Sequence, residues 1–335
     1  MPKSERPQKP ADDDPQWLNF FESHIAPFWD LVEHCQLRVA NGGSLHWSYY
    51  KVSEEAPLVI VSPGRIEATI KYQELVWDLA QSGISCAVLD HRGQGQSQRL
   101  TENPHKGHVV RFQDYVDDFV LFEQQTRKVF PDAAKRWLLG HSMGGTIASL
   151  FCCRQQQSVE QLILSSPMFS IKTAGIPLTI ASLIAEGGAK LNRRLMPDRP
   201  WYFIGMGDYD PVAFEKNDLT HSANRYQKFR QQYQSLPQVQ LGGPTFQWLA
   251  EALAIGRQLT RQPPDFKLPV TLFQAGADAV VSADGQDVVC EANKNVNKQV
   301  IAGARHELLM ESDRYRQPVV NKLLRINEST ASPQP

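Results

Sequence analysis

Residues 137–148, WLLGHSMGGTIA, decide how the rest of the chain is read. A short apolar run enters, Gly140-His141-Ser142-Met143-Gly144 makes a turn, and the small residues Gly145, Thr146 and Ala148 lead into a helical pattern. Strand, G-x-S-x-G turn and helix, in that order, put a serine hydroxyl on a sharp bend above a sheet. Glycine is needed at 140 and 144 because a side chain there would strike the neighbouring strand or helix as the turn closes. The pentapeptide also arises by chance in chains of this length, so its meaning depends on finding partners for Ser142 elsewhere.

On either side of the turn, short apolar strands alternate with amphipathic helices. SLHWSYYKV and PLVIVS are followed by a helix at KYQELVWDLAQSG, the strand ISCAVLD, a helix at FQDYVDDFVLFEQQTRKVF, the strand WLLG and the strand QLILSS. This rhythm predicts an α/β fold with a mostly parallel sheet and helices on both faces. It stops after Pro167, and PVTLFQAG, KQVIAG and a closing helix RQPVVNKLLRI later restore it. The economical division is a core of residues 17–167 and 263–326 with a helical insertion, 168–262, over the carboxyl ends of the strands, where open α/β sheets bind ligands. The polar, Pro- and Ser-rich ends, 1–16 and 327–335, are expected to lack structure. The aromatic segment 17–34 either packs on its own domain or meets a membrane surface, and its mostly acidic charge favours packing.

Composition narrows the classes. With 41% hydrophobic and 21% charged residues, and Lys+Arg 35 against Asp+Glu 36, the chain is globular and gives no sign of a nucleic-acid partner. Five cysteines, odd in number and without metal-ligand spacing, suggest a reducing compartment. Neither a secretory signal nor a run of 18 apolar residues is visible. Oligomeric state leaves no mark on the sequence.

A serine hydroxyl becomes a useful nucleophile only when a base takes its proton and a third group orients that base. In this topology the chain order is serine, acid, histidine. His306, in GARHELLME, is the one histidine beyond the insertion, and it follows the last predicted strand. Asp278, in GADAVV, follows PVTLFQAG, whereas Asp265 precedes that strand and Asp284 and Asp287 fall in the next helix; Asp278 is therefore the expected acid. The oxyanion of the intermediate needs two N–H donors. Met143 supplies one, and the loop Pro63-Gly64-Arg65 points to the N–H of Arg65 for the other, with the Arg65 side chain open to a surface or ion-pairing role. DHRGQGQS, 90–97, lacks the spacing of a phosphate loop and reads as a sharp loop shaping the floor of the site. No cofactor or metal is called for.

Together SPGRIEATIKYQEL, DHRGQGQS, GHSMGG, GADAVV and GARHELLME resemble the monoglyceride lipase and lysophospholipase branch of the α/β-hydrolase family. LTHSANRYQKFR and QLGGPTFQWL in the insertion are similar to bacterial lysophospholipases of the L-two type. The resemblance covers roughly residues 40–325. It implies hydrolysis of one-chain glycerophospholipids, a peripheral association with the inner membrane by a protein otherwise cytoplasmic, Ser142 as nucleophile, and Asp278 and His306 as its partners. Monoglyceride lipases open the first loop with His-Gly, whereas Pro63 stands here, which argues against monoacylglycerol as the main substrate.

The apolar stretch 174–185, AGIPLTIASLIA, has two readings, an acyl channel or lipid contact and the packed face of a cap helix. Lys190, Arg193, Arg194 and Arg199 follow it, and Arg193 and Arg194 are the expected contacts for a phosphate head group. Three functions compete: a lysophospholipase, a general carboxylesterase or acyltransferase, and a catalytically silent fold that only binds ligands. Loss of a triad residue would favour the last, and none is lost.

Overall fold

The structure is a computed structural model that describes residues 7–39, 43–173 and 175–328. Its described residues build an eight-stranded sheet from β1 (Glu33–Arg38), β2 (Ser44–Tyr50), β3 (Leu58–Ser62), β4 (Ser85–Leu89), β5 (Arg136–His141), β6 (Gln161–Ser165), β7 (Val270–Ala275) and β8 (Val296–Ile301). The spatial order is β1-β2-β4-β3-β5-β6-β7-β8. β1 and β2 pair antiparallel, β2 joins β4 antiparallel, and every later pairing is parallel. β3, β4, β5 and β7 are buried along their whole length, so they read as mostly apolar runs rather than alternating ones. The edges are polar: β1 reads EHCQLR and β8 reads VNKQVI, sequences that discourage pairing with another chain.

Helices cover both faces because successive residues of each strand point to opposite sides. Leu58 and Ile60 of β3 pack with α4 (Gln113–Val129) and α5 (Met143–Arg154), through Phe119, Phe122, Ile147 and Phe151. Val59 and Val61 pack on the other face with α3 (Gln73–Gln81) and α10 (Asp313–Leu324), through Leu75, Leu79, Val319 and Leu323. α9 (Ala283–Glu291) joins the first face through Val289.

Between β6 and β7 lie α6 (Leu178–Leu195), α7 (Ala223–Ser235) and α8 (Phe246–Arg261), with no strand among the described residues of that segment. The segment is not an independent core. Trp248, Ala252 and Leu259 of α8 sit in the main apolar cluster, and Tyr226, Phe229 and Tyr233 of α7 pack on Ala68 beyond β3. Only α6 stands outside, laying Ala181, Ala185 and Ala189 on Ala250 and Leu253 of α8.

The amino-terminal region differs from the expectation of a free tail. Residues 1–6 lie outside the described residues, but Lys9 pairs with Glu74 and Asp78 at 2.9 and 2.5 Å, and Asp12 accepts the Asp313 N–H at 2.8 Å. Turn-rich polar sequence gives no sign of this, because the partners lie on α3 and α10. The aromatic segment follows as α1 (Trp17–Phe20), a π-helical turn (Phe21–Ile25) and α2 (Ala26–Trp29) with Pro27 in its first turn. Trp17, Phe20, Phe21 and Ile25 are buried against Trp77, so the segment packs on its own domain. The carboxyl-terminal tail expected at 327–335 lies outside the described residues beyond 328.

Candidate active site

The chain changes direction across the sheet at β3, which has β4 on one side and β5 on the other. The loops leaving β3 and β5 therefore face each other at the carboxyl edge, the usual ligand crevice of such sheets. Ser142 stands between β5 and α5 with φ 51° and ψ −120°, a left-handed conformation that L-residues hold only when the surroundings enforce it. The enforcement is visible. Ser142 N–H donates to Ser165 at 3.0 Å, and its carbonyl accepts the N–H groups of Gly145 and Met168, both at 2.9 Å. A Cβ on Gly144 would lie 2.0 Å from the Ser62 carbonyl oxygen, and one on Gly140 would lie 2.7 Å from Gly145 Cα. The elbow closes only without those side chains.

His306 follows β8 and Asp278 follows β7. Nε2 of His306 lies 2.9 Å from Ser142 Oγ, and Nδ1 lies 2.7 Å from Asp278 Oδ2. The other oxygen of Asp278 accepts the N–H groups of Val280 and Val281 at 2.8 and 2.9 Å. Burial pushes the Asp278 carboxyl up, but the His306 hydrogen bond and charge and those two N–H groups outweigh it and hold the group below its ordinary range. It is thus kept as a carboxylate facing the imidazole. Asp265 pairs with Lys267, Asp287 binds Lys298 and Gln274, and Asp284 meets Ser282, so none of these competes for His306.

Met143 begins α5 and Arg65 stands in the loop after β3; neither N–H donates to an acceptor among the described residues. The Arg65 loop is held from several sides. Gln94 donates to the carbonyls of Gly64 and Glu67 at 2.8 and 3.1 Å, and Tyr233 of α7 donates to the Ile66 carbonyl at 2.7 Å. The Glu67 carboxylate accepts the Gly64 N–H. Ile66 has φ 69°, a costly value for a β-branched residue, stabilised by these bonds. Gln94 belongs to the 90–97 loop, whose bend is closed by Asp90 accepting the N–H groups of Thr69 and Gln96 at 2.6 and 2.7 Å.

A buried charged cluster that sequence reading missed lies behind these groups. Lys71 bridges Glu67 and Glu307, and His141 Nε2 lies 3.3 Å from Glu307. Glu67, His141 and Glu307 each offer one ligand atom within 4.8 Å of the others, but the cation joining the two carboxylates is the ammonium of Lys71. Burial opposes the charge on Glu307, yet Lys71 and His141 hold it well below its ordinary value; burial likewise opposes protonation of His141, and Glu307 and Glu67 hold it above. The adjacency of Glu307 to His306, and of His141 to Ser142, was the one available hint.

Arg193 and Arg194 are exposed in the last turn of α6, and Arg193 is spent on Gln247. They are not brought to Ser142 by any contact among the described residues. The Arg65 side chain, left open by the sequence, turns inward: Nη2 donates to the Gly242 carbonyl at 2.5 Å, and the guanidinium lies 5.0 Å from the Trp248 ring centre.

A mostly parallel sheet whose fifth strand ends in a strained serine elbow, with an aspartate after the seventh strand and a histidine after the eighth, defines the α/β-hydrolase fold. The chain belongs to the family described as serine aminopeptidase, S33, whose family model matches residues 53–313. It is 34% identical over 310 residues to lysophospholipase L2 of Escherichia coli strain K12, covering 90% of this chain and 88% of the relative. It is 27% identical to the probable lysophospholipase L2 of Haemophilus influenzae, covering 92% and 96%. Among solved structures, a soluble variant of the Saccharomyces cerevisiae monoglyceride lipase superimposes with a TM-score of 0.69 at 17% identity over 89% of this chain and 95% of the other, a likeness of fold.

Proposed function

We propose that this chain is a lysophospholipase that cleaves the acyl ester of a lysoglycerophospholipid through an acyl-serine intermediate on Ser142. The observation that carries the reading is the continuous hydrogen-bonded line from Ser142 Oγ through His306 to Asp278. Ser142 Oγ attacks the ester carbonyl as its proton passes to His306 Nε2, and Asp278 stabilises the imidazolium. The resulting oxyanion takes the free N–H groups of Met143 and Arg65. Collapse breaks the acyl–oxygen bond, and His306 gives its proton to the departing glycerol oxygen. Water, deprotonated by the same nitrogen, then releases the fatty acid and restores the serine. Head-group class rests on the likeness to the two lysophospholipase L2 relatives.

The outer face of α6 supports a second part of the proposal, contact with a lipid surface. This helix turns its small residues inward and its large ones outward: Ile180, Leu183, Ile184, Leu191 and Leu195 are exposed, Leu183 by 70% and Leu195 by 60%. A row of this kind beside Lys190, Arg193, Arg194 and Arg199 suits an interfacial helix on anionic lipid. Arg193 and Arg194 then serve the membrane surface rather than the substrate phosphate. No helix among the described residues is long and apolar enough to cross a membrane.

Release of fatty acid by the purified protein from lysophospholipids, diacylphospholipids, monoglycerides and short esters of matched chain tests the reading. The highest kcat/KM is expected on a lysophospholipid. Preference for monoglyceride, or transfer of the acyl group to an alcohol in place of water, would reject it.

A further inference from the structure

The buried arginines Arg136, Arg225 and Arg316 and the half-buried Arg92 all lie within ion-pairing distance of carboxylates: Glu123, Glu74, Asp78 and Asp118 respectively. Arg65 has none among the described residues. Its Nη2 uses one backbone carbonyl, Gly242, and its Nε is shut from solvent with no acceptor. The titratable groups that face it are the phenols of Tyr115 and Tyr202, and Tyr115 already accepts the Trp248 indole N–H at 3.2 Å. Burial pushes its guanidinium down to about 10, and the two phenols oppose this only in part, with no carboxylate to help them. Arg65 is half-buried, a partly desolvated cation without a counter-ion is costly, and of the five donors of a guanidinium this one satisfies only Nη2, on a single backbone carbonyl.

The surroundings are shaped to keep it there. The Trp248 ring lies 5.0 Å from the guanidinium carbon. Gly107 leaves the space that Nη2 occupies, since a Cβ at 107 would fall 2.5 Å from that nitrogen. The backbone of the same residue meets the reaction: Arg65 N–H is the free donor of the loop beside Ser142, whose Cβ lies 3.2 Å from where a Gly64 Cβ would stand. In an extended lysoglycerophospholipid the phosphorus lies roughly 7 Å from the ester carbonyl carbon, about the reach of an arginine side chain from its own backbone.

We propose that the Arg65 guanidinium is the receptor for the substrate's phosphodiester, so that one residue grips the oxyanion with its N–H and the head group with its side chain. The assignment rests on the lysophospholipase reading. A phosphodiester supplies the missing negative charge and two oxygens for the planar fork, which a neutral monoglyceride cannot do. Discrimination between the two lipid classes then comes from the loop after β3 and from Trp248, not from the exposed arginines of α6.

The test compares lysophosphatidylglycerol with a monoglyceride, both of an acyl chain short enough to stay monomeric, on wild type, Arg65→Met and Arg65→Lys. Every variant keeps the backbone N–H. In Arg65→Met the ratio of kcat/KM for lysophospholipid over monoglyceride is expected to fall about 10- to 100-fold, and Arg65→Lys should restore part of it. Equal losses on both lipids would overturn the proposal and leave Arg65 as a strut of the oxyanion loop. Should the variants fail to fold, inhibition of wild type decides: the ether analogue of the lysophospholipid should compete at least about tenfold more tightly than the ether analogue of the monoglyceride. Equal inhibition by the two, or inhibition by inorganic phosphate with no preference between the lipids, overturns it. A wild type that ignores lysophospholipid esters yet binds their ether analogues selectively would reject the assigned activity and keep the phosphodiester site.

Discussion

His141 and Glu307, the chain neighbours of Ser142 and His306, meet at 3.3 Å in the interior behind the triad. The same Glu307 binds Lys71 at 2.8 Å, and Lys71 binds Glu67, which holds the Gly64 N–H. The loops after β3, β5 and β8 are thereby tied to one another by charge.

Glu307→Gln keeps the shape and removes the charge. Breaking a buried ion pair from one side costs about 3–5 kcal/mol, and the lower end is expected because Glu67 still pairs with Lys71. Urea unfolding at neutral pH measures it. A loss under about 1 kcal/mol, the range of exposed pairs, would show that the cluster contributes little.

The same variant has a pH signature. Glu307 is held below its ordinary 4.5, so its stabilisation is full above that value and is lost as pH falls through the folded pKa. His141 is held above its ordinary 6.5, so its stabilisation is full below 6.5 and is lost as pH rises through the folded pKa. Wild-type stability should therefore decline on both flanks. In Glu307→Gln the alkaline decline should shrink, since the carboxylate that favoured protonated His141 is gone and burial then disfavours the cation, while on the acid side the loss of the Glu307 contribution is offset by a His141 that resists protonation. An unchanged alkaline flank would assign that decline to other groups.

Two glycine substitutions should have opposite signs. A Cβ at Gly187, exposed in α6, meets nothing within 4 Å, and Gly187→Ala should add about 0.5–1 kcal/mol through helix propensity. Gly144→Ala drives a Cβ into the Ser62 carbonyl and should abolish turnover or folding. Normal activity in Gly144→Ala would mean that the elbow is not closed as described.

Arg225 of α7 donates to Glu74 at 2.8 Å and to Asp313 at 2.6 Å, while Lys9 and Asp12 of the amino-terminal arm reach Glu74 and Asp313 themselves. Arg225→Met removes the cation between those carboxylates, and because Glu74 keeps Lys9 and Arg316 the lower end of the roughly 3–5 kcal/mol cost of breaking a buried pair is expected. It should also hasten proteolysis within residues 7–16 of the native protein. A stable variant with a protected arm would contradict this linkage.

What the sequence made legible follows from local rules. The elbow at Ser142 and the strands on either side combine turn chemistry with apolar runs, and both are short-range signals. β1 was invisible because an edge strand reading EHCQLR has no apolar run to betray it. The docking of Lys9, the Arg225 network and the cluster of Glu67, Lys71, His141 and Glu307 depend on partners distant in the chain, which no window of sequence contains. Arg193 and Arg194 were singled out by charge beside an apolar stretch, a pattern that an outward-facing helix satisfies equally well.

The central claim is that Ser142 carries the acyl group. Wild-type protein mixed with a lysophospholipid, quenched in acid during turnover and digested, should yield a peptide containing Ser142 that is heavier by one fatty acyl group, released as the substrate is exhausted. Ser142→Ala should give no such adduct and lose on the order of a million-fold in rate. An acyl group on a different serine, or near-normal turnover by Ser142→Ala, would contradict the account.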